Sequence, residues 1–427
     1  MKYLISSIYG YLFHDRLSND GFEILKNIIH VGVGTVIGSF LIVIFNILVG
    51  RMLGPEGYGQ ITLIDSIAMF LCPPMLLGVN TAMVKYNSEK LDFPRQQKIV
   101  STSYILVFIL SCLSLIFYIL LADIIRSIFS VPPYIYYLSI IFSILYILHS
   151  LTTNTLQSLH KMNMLSISKL LYGLVLLSSA LIFMHFNSLS VLSIITCLYL
   201  SYASVILLTL LSTYKLLRFK FDLKWAKTLF HYGTFSVFSN ISYILYTNID
   251  KILINKYMLV SDVGLYTAYY RSSISIIALI SGILVTVLFP VMSKYENKSV
   301  ILQRLNYFMP YLLIFGFLFS LISEYLIINL YGQDYQLKLS LVLLFAITAA
   351  IFSCYNLYTW IFNSVGIKGV KLTMLGTGSI AVANILLDII LIPMFGLLGA
   401  IGATALAYCI GIFIIIIRFK VNLESLL

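Results

Sequence analysis

The chain has 427 residues, of which 60% are hydrophobic and only 10% are charged, and its mean hydropathy is +0.99. Soluble domains contain about 45–50% apolar and about 25% charged residues, so a water-soluble globular protein is excluded. The formal net charge of +11 would suit a nucleic-acid-binding protein, but basic loops on one face of a membrane explain it better.

Twelve apolar segments are long enough to cross a bilayer, for which a helix needs about 20 mostly apolar residues. With edges good to a few residues, they cover 27–50, 59–84, 100–122, 133–157, 164–185, 188–213, 231–257, 262–290, 305–330, 338–363, 371–393 and 396–418. An earlier segment, 3–13, is too short to span and is followed by His14, Asp15 and Arg16 without a small-residue cleavage site. We interpret it as an interfacial helix rather than a signal peptide.

Basic residues predict the orientation, because Lys and Arg concentrate in the cytoplasmic loops of membrane proteins. The loops that share one face hold most of the 27 basic residues, including the segment from Lys215 to Lys227. The opposite face and the outer halves of the helices hold only Arg51, Arg126, Lys251, Lys256, Arg271 and Lys338. Both termini are therefore predicted to be cytoplasmic.

Short similarities between the two halves of the chain indicate an internal repeat. The matching segments are RMLGPEGYGQ from Arg51 and KYMLVSDVGLY from Lys256, MVKY at Met83 and MSKY at Met292, and LQSLHK at Leu156 and FNSVGIK at Phe362. Two lobes of six helices each are predicted. Because six is even, the lobes run parallel and are related by a pseudo-two-fold axis along the membrane normal, with the substrate site between them.

Four regions follow from this repeat. We predict an N-terminal cytoplasmic or interfacial segment 1–26, an N-lobe 27–214, a basic cytoplasmic linker 215–228 and a C-lobe 229–427. The fold class is thus an all-α integral membrane protein with twelve transmembrane helices.

Few ionisable residues lie well inside the predicted spans, and these are the first candidates for function. They are Asp65, Asp250, Lys251, Arg271 and Asp388. Facing lipid, each would cost about 2.5–3.5 kcal/mol, so most are expected to face a cavity or one another. Asp65, Asp250 and Arg271 lie at a similar depth, roughly 9–14 Å below the outer surface at 1.5 Å rise per residue.

A polar stripe marks the seventh span. Asn240, Tyr243, Thr247 and Asp250 recur at i, i+3, i+7 and i+10, which places them on one face of a helix. Tyr270 and its neighbouring tyrosines add hydroxyl groups and stacking surfaces close to Arg271. We expect this stripe and Tyr270 to line the cavity.

Prolines and glycines suggest where helices bend during transport. Pro73 and Pro74 interrupt the second span, and Gly282 and Pro290 lie in the eighth. A proline inside a helix removes a backbone hydrogen bond and kinks the helix. We expect these four residues to act as hinges, and a static kink that shapes the cleft is the alternative.

Three segments resemble those of a known family. LGPEGYG after the first span, NIDKILINKYMLVSDVGLYTAYYR across spans seven and eight, and LIPMFGLLGAIGAT between spans eleven and twelve are similar to the polysaccharide-transporter (Wzx-type) branch of the multidrug/oligosaccharidyl-lipid/polysaccharide (MOP) superfamily. The resemblance implies the MOP flippase fold, with two six-helix lobes in a V. It also implies translocation of undecaprenyl- or dolichyl-linked sugars from the cytoplasmic to the outer leaflet.

The chain departs from the family pattern at Asp388, where a neutral polar residue is more usual. We expect Asp388 to hydrogen-bond within its own lobe, with a residue such as Asn384, four positions earlier on the same span.

In the resembled fold the first, second, seventh and eighth spans line the central cleft, which places the charged residues in a ring near its outer end. A lipid-linked sugar needs a cationic group for its phosphate and polar or aromatic partners for its sugars. We expect Arg271, helped by Lys251 or Arg51, to bind the phosphate. Asp65 and Asp250 would pair with the cations when no substrate is bound. The alternative is an intramembrane salt bridge that only locks the helices together.

Other functions are less well supported. The chain has no DxD, HExxH, GxSxG or P-loop motif, so a membrane glycosyltransferase or polymerase is not expected. An ion-coupled multidrug or small-molecule exporter of the same superfamily is the main alternative, although Arg271 and Lys251 argue against a cationic drug. A lipid scramblase and a purely structural membrane protein are the remaining alternatives.

No cofactor or metal site is expected, because the five cysteines lie within apolar segments and form no CxxC. Coupling to H⁺, to Na⁺ or to the membrane potential stays open. The expected partners are a polyprenyl-linked glycan, membrane lipids and a polymerase or other glycan-assembly proteins, with no nucleic acid. The expected location is the plasma (inner) membrane.

Overall fold

The structure is a computed structural model that describes residues 19–89, 92–218, 220–282, 298–365 and 367–421. Within these ranges the chain is helical, without a β-strand. The helices are α1 Asn19–Leu76, α2 Val79–Ser88, α3 Phe93–Leu120, α4 Ala122–Phe129, α5 Pro133–Ser158, α6 Met162–His185, α7 Val191–Thr213, α8 Leu223–Tyr257, α9 Val260–Tyr270, α10 Lys298–Tyr331, α11 Leu339–Ser364, α12 Ile367–Phe395 and α13 Leu397–Val421. A π-helical turn, Arg271–Ser275, follows α9. The predicted interfacial segment 3–13 and Pro290 lie outside the described residues.

Nine helices in the described part of the chain are long and apolar enough to cross a membrane. The first of these spans, Gly34–Leu76, has 43 residues and overlaps the first two predicted spans. The predicted seventh span lies in α8, which is not among these nine helices because its polar residues lower its hydropathy. The predicted eighth span, 262–290, extends past residue 282, where the described part of the chain is interrupted. The protein is therefore a multi-pass membrane protein, and the count of twelve spans stays a prediction.

The long helix α1 folds back on itself at Gly54. This residue has φ 66° and ψ 179°, a backbone conformation that glycine adopts far more readily than other residues. The Tyr58 hydroxyl lies 3.5 Å from Asn46 Oδ1, whereas 12 residues of straight helix would separate them by about 18 Å. α1 thus consists of two arms, 19–53 and 55–76, which meet in the short hairpin predicted from the sequence.

The predicted second span, 59–84, is wrong in its last third. α1 ends at Leu76, and Leu77 and Gly78 adopt left-handed backbone conformations, with φ 41° and 67°. A Cβ atom on Gly78 would overlap the carbonyl oxygen of Gly233 in α8. The helix is therefore broken where its backbone crosses α8, a contact that hydropathy alone does not reveal.

The helices pack as two groups. α1, α5, α6 and α7 pack against one another. In the second group, α8 packs with α12 and α13, both of these helices pack with α11, and α11 packs with α10. The division into two six-helix lobes stays a prediction. The groups meet where α1 contacts α8, α9 and α10. We call the end of the molecule that holds the Gly54 hairpin the outer end, following the predicted orientation.

A backbone contact closes the junction between the groups at the outer end. Gly59 of α1 faces Gly264 of α9, and a Cβ atom on Gly59 would overlap the carbonyl oxygen of Val260. A Cβ atom on Gly264 would overlap the carbonyl oxygen of Pro55. Only glycine at both positions allows the two helices to approach this closely.

Candidate functional site

A cavity of about 1180 Å³ lies between the two groups of helices. It is larger than most small-ligand pockets, which measure about 300–1,000 Å³. Its wall is formed by α1, α5, α8, the end of α9, the π-helical turn with the residues that follow it as far as 282, and α10–α13. Both predicted lobes therefore contribute to one cavity, as expected of a transporter with a central substrate site.

Three charged side chains line this cavity together: Asp65 from α1, Lys251 from α8 and Arg271 from the π-helical turn. Such turns are rare and occur frequently at functional sites. Asp65 lies close enough to interact electrostatically with both cations. Across the described ranges, however, the ion pairs within 4.0 Å involve other residues. The structure thus brings the predicted charges together without the direct salt bridge that would lock the helices.

Uncharged side chains contact both cations, Lys251 and Arg271. The Arg271 guanidinium carbon lies 5.6 Å from the centroid of the Tyr58 ring, and Lys251 Nζ lies 5.5 Å from that of Tyr270. Lys251 also donates a hydrogen bond of 3.3 Å to Asn248 Oδ1. Cation–π contacts of this length stabilise a buried positive charge without neutralising it. Both charges therefore remain available to an anion.

Three members of the polar stripe of α8 line the cavity, and its last member does not. Asn240, Tyr243 and Thr247 line the cavity, but Asp250 does not and is only 2% exposed. At the level of Asp250 the helix face is covered by α9 and α13, because the Tyr266 hydroxyl and Thr404 Oγ1 both donate to Asp250 Oδ2. The placement of Asp250 in the cavity was wrong for this reason.

Of the remaining predicted residues, some line the cavity and others do not. Arg51 is exposed at the outer end and does not line the cavity, because it lies just before the hairpin rather than inside the membrane. Pro73 and Pro74 lie near the end of α1, away from the cavity. Gly282 does line the cavity, and a Cβ atom there would meet nothing within 4 Å. Hinge motion at these residues stays a prediction.

The prediction missed the contribution of α10–α13. Side chains from these helices form a large part of the wall, among them Tyr331, Tyr355, Asn356, Thr359, Trp360 and Asn363. The last four follow the i, i+3, i+4, i+7 spacing of one helix face, a signal that was available in the sequence. Tyr331 and Tyr355 gave no such signal, because aromatic residues are common on membrane helices in any role.

Solved structures with this arrangement are transporters of the MOP superfamily. An inward-facing multidrug resistance transporter of the MATE family has a TM-score of 0.74 at 14% identity, covering 91% of this chain and 95% of that one. An outward-facing structure from the MATE family scores 0.63, with coverages of 94% and 96%. A MOP superfamily transporter from Pyrococcus furiosus scores 0.62 at 14% identity, with coverages of 96% and 99%. The chain therefore has the fold of these MOP superfamily transporters.

The sequence assigns the chain to a family. The family described as "Polysaccharide biosynthesis protein" matches residues 24–296, and the chain belongs to it. A curated relative, the probable low-salt glycan biosynthesis flippase Agl15 of Haloferax volcanii, is 26% identical over 194 residues. That match covers 44% of this chain and 40% of the relative, so the chain aligns with less than half of the relative's length.

Proposed function

We propose that the protein is a flippase that moves a polyprenyl-(pyro)phosphate-linked oligosaccharide from the cytoplasmic to the outer leaflet of the plasma membrane. Twelve spans with both termini in the cytoplasm would carry out this transfer by alternating access, for cell-surface polysaccharide or glycan synthesis. One observation carries the proposal: a cavity between the two groups of helices combines two cations with a wall of amide, hydroxyl and aromatic groups. Among the described residues, neither cation forms an ion pair within 4.0 Å. The family and the name of the relative support the same substrate class.

The cations suit the anionic part of such a substrate. A guanidinium group binds phosphate oxygens through two parallel hydrogen bonds, and an ammonium group adds a compact positive charge. Arg271 and Lys251 both line the cavity near Asp65, so a phosphate between them would replace the weaker attraction of that carboxylate. Substrate binding would then loosen the electrostatic link between α1 and the second group of helices.

The rest of the wall suits sugars. Asparagine and threonine side chains donate and accept hydrogen bonds to hydroxyl groups, and tyrosine and tryptophan rings offer apolar faces with a polar edge. Asn240 and Thr247 of α8 face the cavity together with Asn356 and Thr359 of α11. The polyprenyl tail would stay in the lipid while the sugar head group crosses the membrane through this cavity.

Alternating access requires the lobes to separate at the outer end. The Gly59–Gly264 backbone contact closes that end, and the Tyr58–Tyr331 hydroxyl contact of 3.1 Å lies beside Arg271. Release of a glycan outward would need both contacts to open.

The multidrug exporter of the same superfamily is the alternative that this wall disfavours. A cationic drug would meet two positive side chains, Arg271 and Lys251, against one negative side chain, Asp65. Drug resistance that depends on this chain, without any change in surface glycan, would support the alternative.

Deletion of the protein in its host tests the proposal. We expect the lipid-linked oligosaccharide to accumulate in the inner leaflet, and surface polysaccharide to fall at least tenfold. The measurement is labelling of the lipid-linked glycan in sealed spheroplasts, from outside, before and after permeabilisation. A deletion strain with the glycan still accessible from outside would contradict the proposal.

Substitution of Tyr243 in the cavity wall tests the binding of the sugar without removing the cations proposed to bind the phosphate. Tyr243 is 58% exposed and forms an edge contact of 5.5 Å with Tyr246, so its removal leaves the core intact. We expect Tyr243→Ala to lower the rate of glycan export several-fold, because stacking of this kind contributes about 1 kcal/mol. Tyr214→Ala is the matched control, since Tyr214 is 63% exposed and lies outside the cavity wall. Equal export rates for the two variants would remove Tyr243 from the site.

A further inference from the structure

A buried carboxyl group lies beside the π-helical turn, outside the cavity wall. It belongs to Glu324 of α10, which is completely buried. Its Oε1 accepts a hydrogen bond of 2.8 Å from Ser320, whereas Oε2 has no hydrogen-bond partner among the described residues. Buried polar atoms are nearly always paired, and a negative charge without a partner is strongly unfavourable there. Glu324 is therefore neutral in this state of the protein and carries a proton.

The position of Glu324 connects the cavity with the turn that carries Arg271. Glu324 shares a face of α10 with Tyr331, seven residues further on, and Tyr331 lines the cavity. Ser323, the neighbour of Glu324 in the sequence, donates a hydrogen bond of 2.7 Å to the backbone carbonyl of Ser272 in the π-helical turn. The carboxyl group thus adjoins the turn at the residue that directly follows Arg271.

The groups around Glu324 do not balance a negative charge in this state. Tyr269 of α9 interacts with Glu324 electrostatically, but the Tyr269 hydroxyl donates to the carbonyl of Gln336 and accepts from the backbone nitrogen of Lys338. The sequence of α11, 339–364, contains no acidic or basic residue. The other titratable or charged groups on this side of the neighbouring elements are Tyr58 and Asp65 on α1, Arg271 in the π-helical turn and Tyr358 on α11. Arg271 is the cation of this set, and its guanidinium group lies over the ring of Tyr58 instead.

Opening of the outer end would remove the partners that Arg271 has in this state. Its ring contact with Tyr58 and its electrostatic interaction with Asp65 both involve α1, which belongs to the first group of helices. Within the second group, Tyr331 is the side chain that acts on Arg271, and a tyrosine hydroxyl does not balance a positive charge. A desolvated guanidinium group without an anion is unfavourable, so Arg271 needs a carboxylate from its own group of helices.

Three carboxyl groups are buried in the described part of the second group, those of Asp250, Glu324 and Asp388. Asp250 already accepts two hydrogen bonds from neighbouring side chains, and the carboxyl group of Asp388 interacts with that of Asp250. The expected hydrogen bond between Asp388 and Asn384 was wrong, because Asp388 lies against Asp250 of the neighbouring helix and Asn384 has no hydrogen-bond partner among the described residues. Glu324 is the remaining carboxyl group.

We propose that Glu324 is a positioning residue that pairs with Arg271 when the outer end of the cavity is open. Opening admits water, the O–H bond of the Glu324 carboxyl group breaks, and its proton passes to that water. The resulting carboxylate accepts hydrogen bonds from the guanidinium group, in the bidentate geometry that arginine favours. Closure reverses these steps and returns Arg271 to Tyr58 and Asp65.

This exchange of partners would release the substrate. A guanidinium group that is paired with Glu324 no longer holds a phosphate, so opening and release coincide. This consequence rests on the proposed function, whereas the pairing of Glu324 with Arg271 does not. Because the open state binds one proton fewer, a higher pH favours it, and the ratio of open to closed protein rises by up to about tenfold per pH unit.

Distances between spin labels at the outer end test the proposal in the purified full-length protein, in lipid nanodiscs and without glycan. Leu192 of α7 and Leu339 of α11 are 60% and 72% exposed at the outer ends of the two groups of helices, and both are replaced by cysteine for labelling. The exposed Cys112 and Cys409 are replaced by serine. We expect the ratio of the long to the short distance population to rise at least tenfold between about pH 5 and about pH 8.

Three variants identify the groups that are responsible. Glu324→Gln mimics the protonated carboxyl group and should stay closed at every pH. Arg271→Gln should also lose the pH dependence, because an ionised Glu324 then has no partner. Asp123→Asn is the matched control and should keep the pH dependence, since it removes a carboxylate that is 94% exposed on α4.

The proposal is overturned if the unmodified protein shows no pH dependence, or if Glu324→Gln keeps it. It is also overturned if Asp123→Asn loses the pH dependence as well, or if Arg271→Gln keeps it, because Glu324 would then titrate without Arg271. The unmodified protein gives a result on its own where a variant does not fold. Because no glycan is present, failure here leaves the proposed flippase activity untouched.

Discussion

Replacing Arg271 with glutamine is expected to lower glycan export about 10- to 100-fold. Arg271 is the only arginine in the cavity wall formed by the described residues. Hydrogen bonds from its guanidinium group to a phosphate would contribute about 1.5–3 kcal/mol. Glutamine keeps the polarity and approximate length of the side chain, but it removes the positive charge and the bidentate hydrogen bonding of the guanidinium group. The measurement is the rate at which lipid-linked glycan reaches the outer leaflet, normalised to the amount of protein in the membrane.

Two further variants identify the reason for the loss. Arg51→Gln makes the same chemical change at an exposed arginine outside the cavity, and should export at the normal rate. Asp65→Asn combined with Arg271→Gln removes both the carboxylate and the guanidinium charge from the cavity wall. If Arg271 serves only to balance Asp65, the double variant recovers export; if Arg271 binds phosphate, export stays low. Recovery in the double variant would contradict phosphate binding by Arg271.

Placing a methyl group at Gly59 is expected to prevent closure of the outer end. The Cβ atom of Gly59→Ala would overlap the backbone carbonyl of Val260, and backbone atoms cannot rotate away as a flexible side chain can. The lobes would therefore remain apart at this end, so that the cavity stays accessible from outside and export falls at least fivefold. Gly378→Ala is the matched control, because Gly378 lies outside the cavity wall and a Cβ atom there would come no closer than 4.0 Å to Ser242 Oγ, its nearest neighbour.

Accessibility of a cysteine in the cavity measures this effect. Thr247→Cys is introduced after the exposed Cys112 and Cys409 are replaced by serine, and a membrane-impermeant thiol reagent is added from outside. Labelling should be at least fivefold faster with Gly59→Ala than with Gly378→Ala. Equal labelling rates, with export intact in both variants, would show that the contact at Gly59 does not gate the cavity.

Most of the helical architecture could be predicted from the sequence, because long apolar segments have few alternatives to spanning a membrane as helices. The hairpin at Gly54 carried a turn signal in its glycines and proline. The break at Leu77 and Gly78 carried a weaker one, since Pro73 and Pro74 suggested a kink but not its place. The break lies where α1 crosses Gly233 of α8, and such crossings depend on the tertiary arrangement.

The candidate site could be predicted where a charged residue lies within an apolar segment. Asp65, Lys251 and Arg271 lie in apolar segments, so a polar cavity was the best explanation for all three, and all three line it. Asp250 satisfied the same argument and yet lies outside the cavity wall, buried beside Tyr266 and Thr404. Periodicity assigns a residue to a helix face but does not indicate which neighbouring helix covers that face. The burial of Asp250 against α9 and α13 could not be read from the sequence for this reason.

Transport by the purified protein tests the central claim most directly. The protein is reconstituted into sealed liposomes that contain a polyprenyl-diphosphate-linked oligosaccharide, and a lectin added outside detects the glycan that becomes accessible over time. We expect glycan to cross at least tenfold faster in liposomes with the unmodified protein than in liposomes with Arg271→Gln or without protein. Equal rates in all three preparations would contradict the claim that this cavity carries a lipid-linked glycan across the membrane.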